Sequence, residues 1–293
     1  MSNVWLEVKD PTREELEKVS EKSGIPLDFL RLPEASNVIN LRLEPDFAVI
    51  NFVIVRNVIE AKEIHPIVLA FSKDYLITVS KKEDQETLSL AKERMHRIRI
   101  DPPAIVAYYI LDEIVSDHFL HLERIEALTA NLEEEVLGKA NQATIKKIFR
   151  LKSRLVSFNK ILWYERGVVF NLKRCGAACL SAKAKDLFDT THEYLTRQID
   201  IVETYREIMS DAINAYLSTV SNKINSSIRN LTFVMFYLTI ITTITSFPNT
   251  VATFFGISQF GNTHYLIIYA VLVLSIVLPF IWLWRRKWLK LEQ

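Results

Sequence analysis

The chain has 293 residues, 49% of them hydrophobic and 24% charged, with 36 Lys and Arg against 35 Asp and Glu for a net charge of +1. A balance that close to neutral gives no electrostatic footprint for nucleic acid, and six glycines with no Gly-x-x-x-x-Gly-Lys arrangement leave no cradle for a nucleotide. The charges are unevenly placed: residues 230–284 contain no Asp, Glu, Lys or Arg, and after them come only Arg285, Arg286, Lys287, Lys290 and Glu292.

In chain order, the N-terminal Met1-Ser2-Asn3-Val4-Trp5 has neither a basic nor an apolar leader, so no signal peptide is expected. Residues 4–8 read as a strand. Asp10-Pro11 then starts a helix, with Asp10 as capping residue and Pro11 at the first helical position, and Gly24 ends it. Residues 40–43 and 47–55 flank the turn Glu44-Pro45-Asp46, and 67–71 and 75–79 flank Ser72-Lys73-Asp74; rich in branched side chains, both pairs read as antiparallel hairpins. Residues 1–100 are therefore expected to form an α/β subdomain.

After Pro102-Pro103 the apolar period becomes helical. One helix runs to about residue 137, stopped by Gly138, a second spans about 142–173, and a third begins near 185, so that 101–184 form a helical hairpin. In the third helix Leu195, Ile199, Val202, Tyr205, Met209, Ile213, Tyr216, Val220, Ile224, Ile228 and Leu231 recur at steps of three and four, with no Gly or Pro before Pro248. A single helix of about 60 residues, roughly 90 Å at 1.5 Å per residue, is expected to run from the soluble part into the uncharged block.

That block is long enough for two membrane spans of about 20 residues each, 231–247 and 265–284, with the chain turning at Pro248, Gly256 and Gly261. The fold class is thus an α+β domain with long helices plus a two-helix transmembrane hairpin: 185–256 the stalk and first span, 257–264 an external loop, 265–284 the second span and 285–293 a basic tail. Lys223 and Arg229 precede the first span and the basic tail follows the second, whereas the loop has no Lys or Arg, which places both termini on the cytoplasmic side of the cell membrane. In that reducing compartment Cys175 and Cys179 are expected as free thiols near a helix end.

Thr232, Met235, Leu238 with Thr239, Thr242, Ser246, Asn249 and Thr253 follow helical spacing and share a stripe. Two readings are open. Small polar residues help helices pack in lipid, their hydroxyls bonding to their own backbone; alternatively the stripe is a pore wall, which two spans per chain can build only from several copies around an axis. The second span is nearly featureless apolar surface, as suits an outer helix facing lipid.

The start Trp5-Leu6-Glu7-Val8-Lys9-Asp10-Pro11-Thr12-Arg13-Glu14-Glu15-Leu16, the segment Ala215-Tyr216-Leu217-Ser218-Thr219-Val220-Ser221-Asn222-Lys223-Ile224-Asn225, the run Leu238-Thr239-Ile240-Ile241 followed by Pro248 and Phe255-Gly256-Ile257, and the close Trp284-Arg285-Arg286-Lys287-Trp288-Leu289 together resemble the CorA family of divalent-cation transporters along the whole chain. The resemblance implies a funnel-shaped homopentamer in the lipid bilayer, a stalk helix continuing into the inner pore helix, and Mg²⁺ as the transported and regulatory ion, with no other cofactor. By motif, Asn225 is the pore-lining Asn at the cytoplasmic side and Gly256 the glycine of the entrance. Outward from Asn225, the positions Ile228, Thr232, Met235 and Leu238 would then face the axis, the apolar ones gating by dewetting, followed by Thr242, Ser246, Asn249 and Thr253. Three departures stand out. The family's Gly-Met-Asn is here Gly256-Ile257-Ser258, the loop 259–264 has no acidic residue, and the stretch from Asn225 to Gly256 is one heptad longer, which preserves the helical face to within about 20°. The first two keep a Zn²⁺, Co²⁺ or Ni²⁺ transporter, or a non-conducting sensor or scaffold, as alternatives.

The resemblance also implies intersubunit sensing of Mg²⁺ by acidic residues, for which Glu203, Glu207 and Asp211 are candidates, although a charge run on a helix is ordinarily a solvated face. Asn214 occupies the position resembling the family's acidic stalk gate. His118 and His121, three apart beside Glu123, have a spacing that suits Zn²⁺, against the plainer expectation of surface residues on a long helix. Glu133-Glu134-Glu135 is expected to face solvent. No local context suggests a Ser/His/Asp or Cys/His set, so no enzyme is expected and transport should be passive.

Overall fold

The computed structural model describes residues 4–33, 39–59, 64–97, 102–139, 141–175 and 180–255, together with Leu266, Tyr269, Ala270, Val271, Val273, Leu274, Val277, Leu278 and Ile281. The chain divides into two compact units, Met1–Tyr216 and Leu217–Gln293.

In the first unit, strands β1 (Val4–Lys9), β2 (Asn40–Leu43), β3 (Phe47–Val55), β4 (Ile64–Ser72) and β5 (Tyr75–Ser80) form one sheet in the order β1-β5-β4-β3-β2. The two hairpins expected from the turn residues are present, with Leu43 opposite Ala48 and Phe71 opposite Leu76, whereas β1 adds in parallel beside β5. The central strands β3 and β4 are apolar almost throughout because both faces of the sheet are covered. On one face Leu16, Ile25 and Leu30, from helices α1 (Arg13–Ser23) and α2 (Leu27–Leu30) and the link between them, pack on Val49, Val68, Ala70, Ile77 and Val79. On the other, Ile50, Phe52, Leu69 and Phe71 belong to a core shared with α3 (Gln85–Arg97) and α4 (Pro103–Lys139).

The start of α1 differs from expectation. Its cap is Thr12, whose hydroxyl accepts from the Glu15 N–H while the Glu15 carboxylate accepts from the Thr12 N–H, a reciprocal capping box. Asp10 is taken by another partner: its carboxylate accepts from the Lys82 N–H at 3.1 Å, and its backbone sits at a φ of +43°. At the other end Gly24 does stop the helix, with φ +71° and its N–H donating to the Ser20 carbonyl at 2.9 Å. Helix α3 has no counterpart among the expected elements, and a single 3-10 turn, Lys82–Asp84, precedes it.

Helices α4, α5 (Gln142–Arg174) and α6 (Ala182–Phe255) start and end within a few residues of the expected limits; α4 runs on through Gly138, and α6 continues past Pro248 rather than turning there. Cys175 is a free, buried thiol just after α5, donating to the Leu172 carbonyl, and Cys179 lies outside the described residues. Glu133, Glu134 and Glu135 are exposed as expected, Glu135 pairing with Lys147 at 2.9 Å.

His118 and His121 are not surface residues. Both are buried: the chain turns this face of α4 toward the sheet and α5, and His121 donates through Nε2 to the Val55 carbonyl at 2.6 Å, while Glu123 stays exposed. His118 lies edge-on to Phe158 with its Nδ1 3.6 Å from the Glu165 carboxylate, both side chains fully buried. Burial, reinforced by His121, pushes the His118 imidazole down to about 3, and burial alone raises Glu165 well above the usual carboxylate range, so both are held uncharged.

Two outcomes follow from these groups. Gly24→Ala meets no neighbour within 4 Å, so only the left-handed backbone penalty of about 1 kcal/mol should act; the thermal midpoint is expected to fall by about 2–4 °C, and an unchanged midpoint would show the cap to be dispensable. Glu165 stays protonated in the fold but ionises in the unfolded chain above its ordinary value, so its burial removes stability progressively as pH rises through and beyond that value. His118 acts oppositely, removing stability as pH falls below its ordinary 6.5. Glu165→Gln should therefore match the wild type in melting midpoint near pH 4.5 and exceed it increasingly toward pH 8, whereas a gap independent of pH would contradict the assignment.

Candidate functional site

Beyond Tyr216, the last residue of α6 packed against the main core, the helix loses its protein neighbours. Leu231, Val234, Met235, Tyr237, Leu238 and Ile241 are each between 55% and 60% exposed within the single chain. Large apolar side chains on all sides of a helix need lipid or further protein around them, and α6 is, among the described residues, the one helix long and apolar enough to cross a membrane. The described residues of the second expected span, from Leu266 to Ile281, are helical, and all of them but Val271 are exposed.

The hydroxyls of this segment close on their own helix. Thr232 donates to the Ile228 carbonyl, Thr239 to Met235, Thr242 to Leu238, Thr243 to Thr239, Thr250 to Ser246 and Thr253 to Asn249, at 2.6 to 2.9 Å. Bonding four residues back satisfies each hydroxyl proton where no water is at hand. It also fixes polarity: with the proton committed, each Thr oxygen offers only lone pairs outward, as an acceptor.

Met235, Leu238, Thr239, Thr242, Thr243, Ser246 and Thr250 line a shallow concavity of about 630 Å³. Four residues of the stripe inferred for the pore, Met235, Leu238, Thr242 and Ser246, are brought together there, with Thr239 beside them. Thr243 and Thr250 were missed, although their steps of four, three and four from Thr239 through Ser246 are legible in the sequence. Asn225, Ile228, Thr232, Asn249 and Thr253 lie on the same helix and are exposed, outside this concavity. Gly256, Ile257 and Ser258 fall outside the described residues. No basic residue sits in the last turn of α6 to offset the partial negative charge of its terminal carbonyls.

On the stalk part of α6, Glu203, Glu207, Asp211 and Asn214 are all exposed, the three acids at steps of four on one face. Glu203 is already engaged, accepting from the Arg206 guanidinium at 2.7 Å through both oxygens and from the Asn159 amide. Among the described residues no group of three or more His, Cys, Asp or Glu is placed to hold a metal, so neither the stalk acids nor His118, His121 and Glu123 form such a site within one chain.

Comparison with known proteins places this arrangement. A cobalt/magnesium transport protein CorA from Thermotoga maritima is 31% identical over 191 residues, 62% of this chain and 52% of that protein, so the match spans about half that relative's length. The protein of the same name from Methanocaldococcus jannaschii is 25% identical over 300 residues, covering 97% of this chain and 90% of its own. The complete structure of the CorA magnesium transporter from Methanocaldococcus jannaschii shares the fold with a TM-score of 0.70 over 96% of this chain and 90% of that one, at 23% identity. The family model described as CorA-like Mg²⁺ transporter protein matches residues 2–287, and with a mixed sheet leading into a long helix that is exposed and apolar toward its end, this chain belongs to that family.

Proposed function

We propose that the protein is a passive channel or transporter for divalent cations, Mg²⁺ foremost, in which α6 of five copies surrounds an axial path. The observation that carries this reading is the row of Thr oxygens on α6 whose protons are committed to the helix backbone. Mg²⁺ dehydrates reluctantly and keeps several waters. The hydrogens of those waters point outward, so a wall suited to the hydrated ion must be made of acceptors. Hydroxyls free to rotate would offer donors as readily; these cannot.

In this reading Met235, Leu238 and Ile228 form apolar rings that open and close by wetting, Asn225 lines the cytoplasmic end, and Thr242, Ser246, Asn249 and Thr253 continue the path toward Gly256, Ile257 and Ser258 at the outer entrance. Both termini are cytoplasmic and the chain crosses the cell membrane twice. Glu203, Glu207 and Asp211, completed by residues of a neighbouring copy, are the candidate regulatory Mg²⁺ ligands, with Asn214 at the stalk gate. Entry needs no nucleotide: an inside-negative potential contributes about 2.3 kcal/mol per charge per 100 mV, doubled for a divalent ion. A transporter of Zn²⁺, Co²⁺ or Ni²⁺ with the same architecture is favoured by one feature, the replacement of an entrance carboxamide by the Ser258 hydroxyl beside a loop without acids.

Purified protein in liposomes, offered Mg²⁺, Co²⁺, Ni²⁺ and Zn²⁺ in turn, is expected to take up Mg²⁺ faster under an imposed inside-negative potential. Uptake of Zn²⁺, Co²⁺ or Ni²⁺ without Mg²⁺ would establish the alternative, and no flux from an assembled oligomer would leave a sensor or scaffold. Replacing Thr239 and Thr242 together by Val keeps shape and removes acceptors in every copy. At about 1 kcal/mol per lost hydrogen bond, Mg²⁺ flux should fall at least tenfold with the oligomer intact, and unaltered flux would show that the Thr oxygens do not line the path.

A further inference from the structure

The cross-helix contacts of α4, α5 and α6 define one axial register. Between α5 and α6, Lys173 pairs with Asp189, the Phe170 ring lies 5.8 Å from His192, the Asn159 amide donates to Glu203 and Lys152 donates to Ser210 at 2.7 Å. Seven residues back from Asn159 to Lys152 match seven forward from Glu203 to Ser210, so the helices are antiparallel and keep step. Between α4 and α6 the partners advance together: Tyr108 stacks edge-on to Phe188 at 5.7 Å, Gln198 donates through Nε2 to the Val115 carbonyl at 2.7 Å, and Tyr205 lies beside Glu126.

The face of α6 in these contacts repeats every seven residues. Phe188, Leu195, Val202 and Met209 are buried at that spacing, with Ala184, Thr191, Gln198 and Ala212 buried on the adjoining line. Such a repeat has a weakness. A slip of one heptad sets one apolar layer in the place of another at little cost, so aliphatic layers alone do not define where α6 stops.

In one layer all three helices contribute a polar side chain, and buried polar groups flank it on both sides, Asp112 and Thr191 toward one end and Asn159 toward the other. His118 of α4, Glu165 of α5 and Gln198 of α6 are all fully buried. His118 Nδ1 and Nε2, both Glu165 oxygens and Gln198 Oε1 accept or donate no hydrogen bond with the protein, although a buried polar atom left so costs about 1–3 kcal/mol. Slipped by a heptad, α6 would bring Thr191 or Tyr205 to the level of Gln198, and neither has an amide to bond the Val115 carbonyl. We infer that the His118–Glu165–Gln198 layer is a register pin, which holds α6 at one axial position against α4 and α5 at the expense of stability, so that the three helices move as one body. A polar layer that lowers stability while selecting one register is a known use of buried polar groups in helical coils.

The test uses the full chain with Cys175→Ala and Cys179→Ala. Lys152→Cys with Ser210→Cys reports the observed register, and Lys152→Cys with Glu203→Cys the register slipped by one heptad. Each pair is probed with a bifunctional thiol reagent shorter than the roughly 10 Å rise of seven residues. With the layer intact, only the first pair should cross-link. With His118→Leu, Glu165→Leu and Gln198→Leu together, the melting midpoint should rise and the second pair should begin to react. Exclusive reaction of the first pair in the Leu variant would overturn the pin; should that variant not fold, Gln198→Leu alone is read with the same pairs and the same criterion. A second arm rests on the transport reading: protein cross-linked through the first pair should keep its cation flux within about twofold, and loss of flux relative to the untreated pair would overturn movement as one body. If untreated protein carries no flux, the transport reading fails while the register result stands.

Discussion

The constraint on which the second unit depends is that a polar group in an apolar segment must find its partner within its own helix. Seven Thr residues between 232 and 253 do so by donating four residues back, which lets hydroxyls enter a segment with no charge over 55 residues. The same bond settles what these residues can offer to anything else. A Thr satisfied in this way is an acceptor, so residues admitted to the segment by self-satisfaction become, in several copies around an axis, a surface matched to the outward hydrogens of a hydrated cation. The helix-packing and pore readings of the stripe therefore do not compete at the level of the bond. They differ only in whether the outward oxygens meet protein or water.

The first unit obeys the opposite rule. Its helices are defined by apolar seven-residue periodicity, and polar groups interrupt their core at several points, among them Asp112, His118, Asn159, Glu165, Thr191 and Gln198. Where Thr in the apolar segment is satisfied locally, Glu165 and His118 are not, and they survive in the core by shedding charge, the carboxyl kept protonated and the imidazole neutral. Removing the charge lowers the penalty without abolishing it. A core that tolerates such a layer gives up stability that a leucine layer would keep, and what it gains is a unique alignment of three long helices.

Much of this was legible in the sequence because period and punctuation are local. The limits of β2 and β3 followed from branched runs around Glu44-Pro45-Asp46, the stop of α1 from Gly24, and the length of α6 from the absence of Gly and Pro ahead of Pro248. The misreadings share a cause, namely partners far away in sequence. Asp10 looks like a cap until Lys82, 72 residues on, supplies its N–H, whereupon Thr12 and Glu15 take over. His118 and His121 look like a surface pair because their spacing is visible and their partners Glu165 and Val55 are not. Pro248 looks like a turn because it lacks an N–H, yet one missing bond does not end a helix that neighbouring turns continue to hold. At the candidate site, Thr243 and Thr250 stand outside the stripe because helical spacing from Thr232 follows one row of α6, whereas the concavity takes in two adjacent rows.

The chemistry of the proposed path also limits what it can select. Thr oxygens, Met235 and Leu238 carry no formal charge, so a doubly charged ion passing them gains little from direct Coulomb attraction and must keep its hydration to avoid a desolvation penalty of many kcal/mol. Acceptors that touch only the water shell discriminate weakly between Mg²⁺, Co²⁺ and Ni²⁺, whose shells present the same outward hydrogens. Selectivity in such a path therefore has to arise where geometry is tightest or negative potential is concentrated. The C-terminal end of α6 has no basic residue in its last turn to offset its carbonyl dipoles, and Gly256-Ile257-Ser258 follows it in the sequence. A hydroxyl at Ser258 reaches less far than a carboxamide and so leaves more of the recognition to backbone carbonyls. It follows that ion preference in this chain should respond more to the backbone geometry of that short segment than to the composition of the long Thr-lined helix that precedes it.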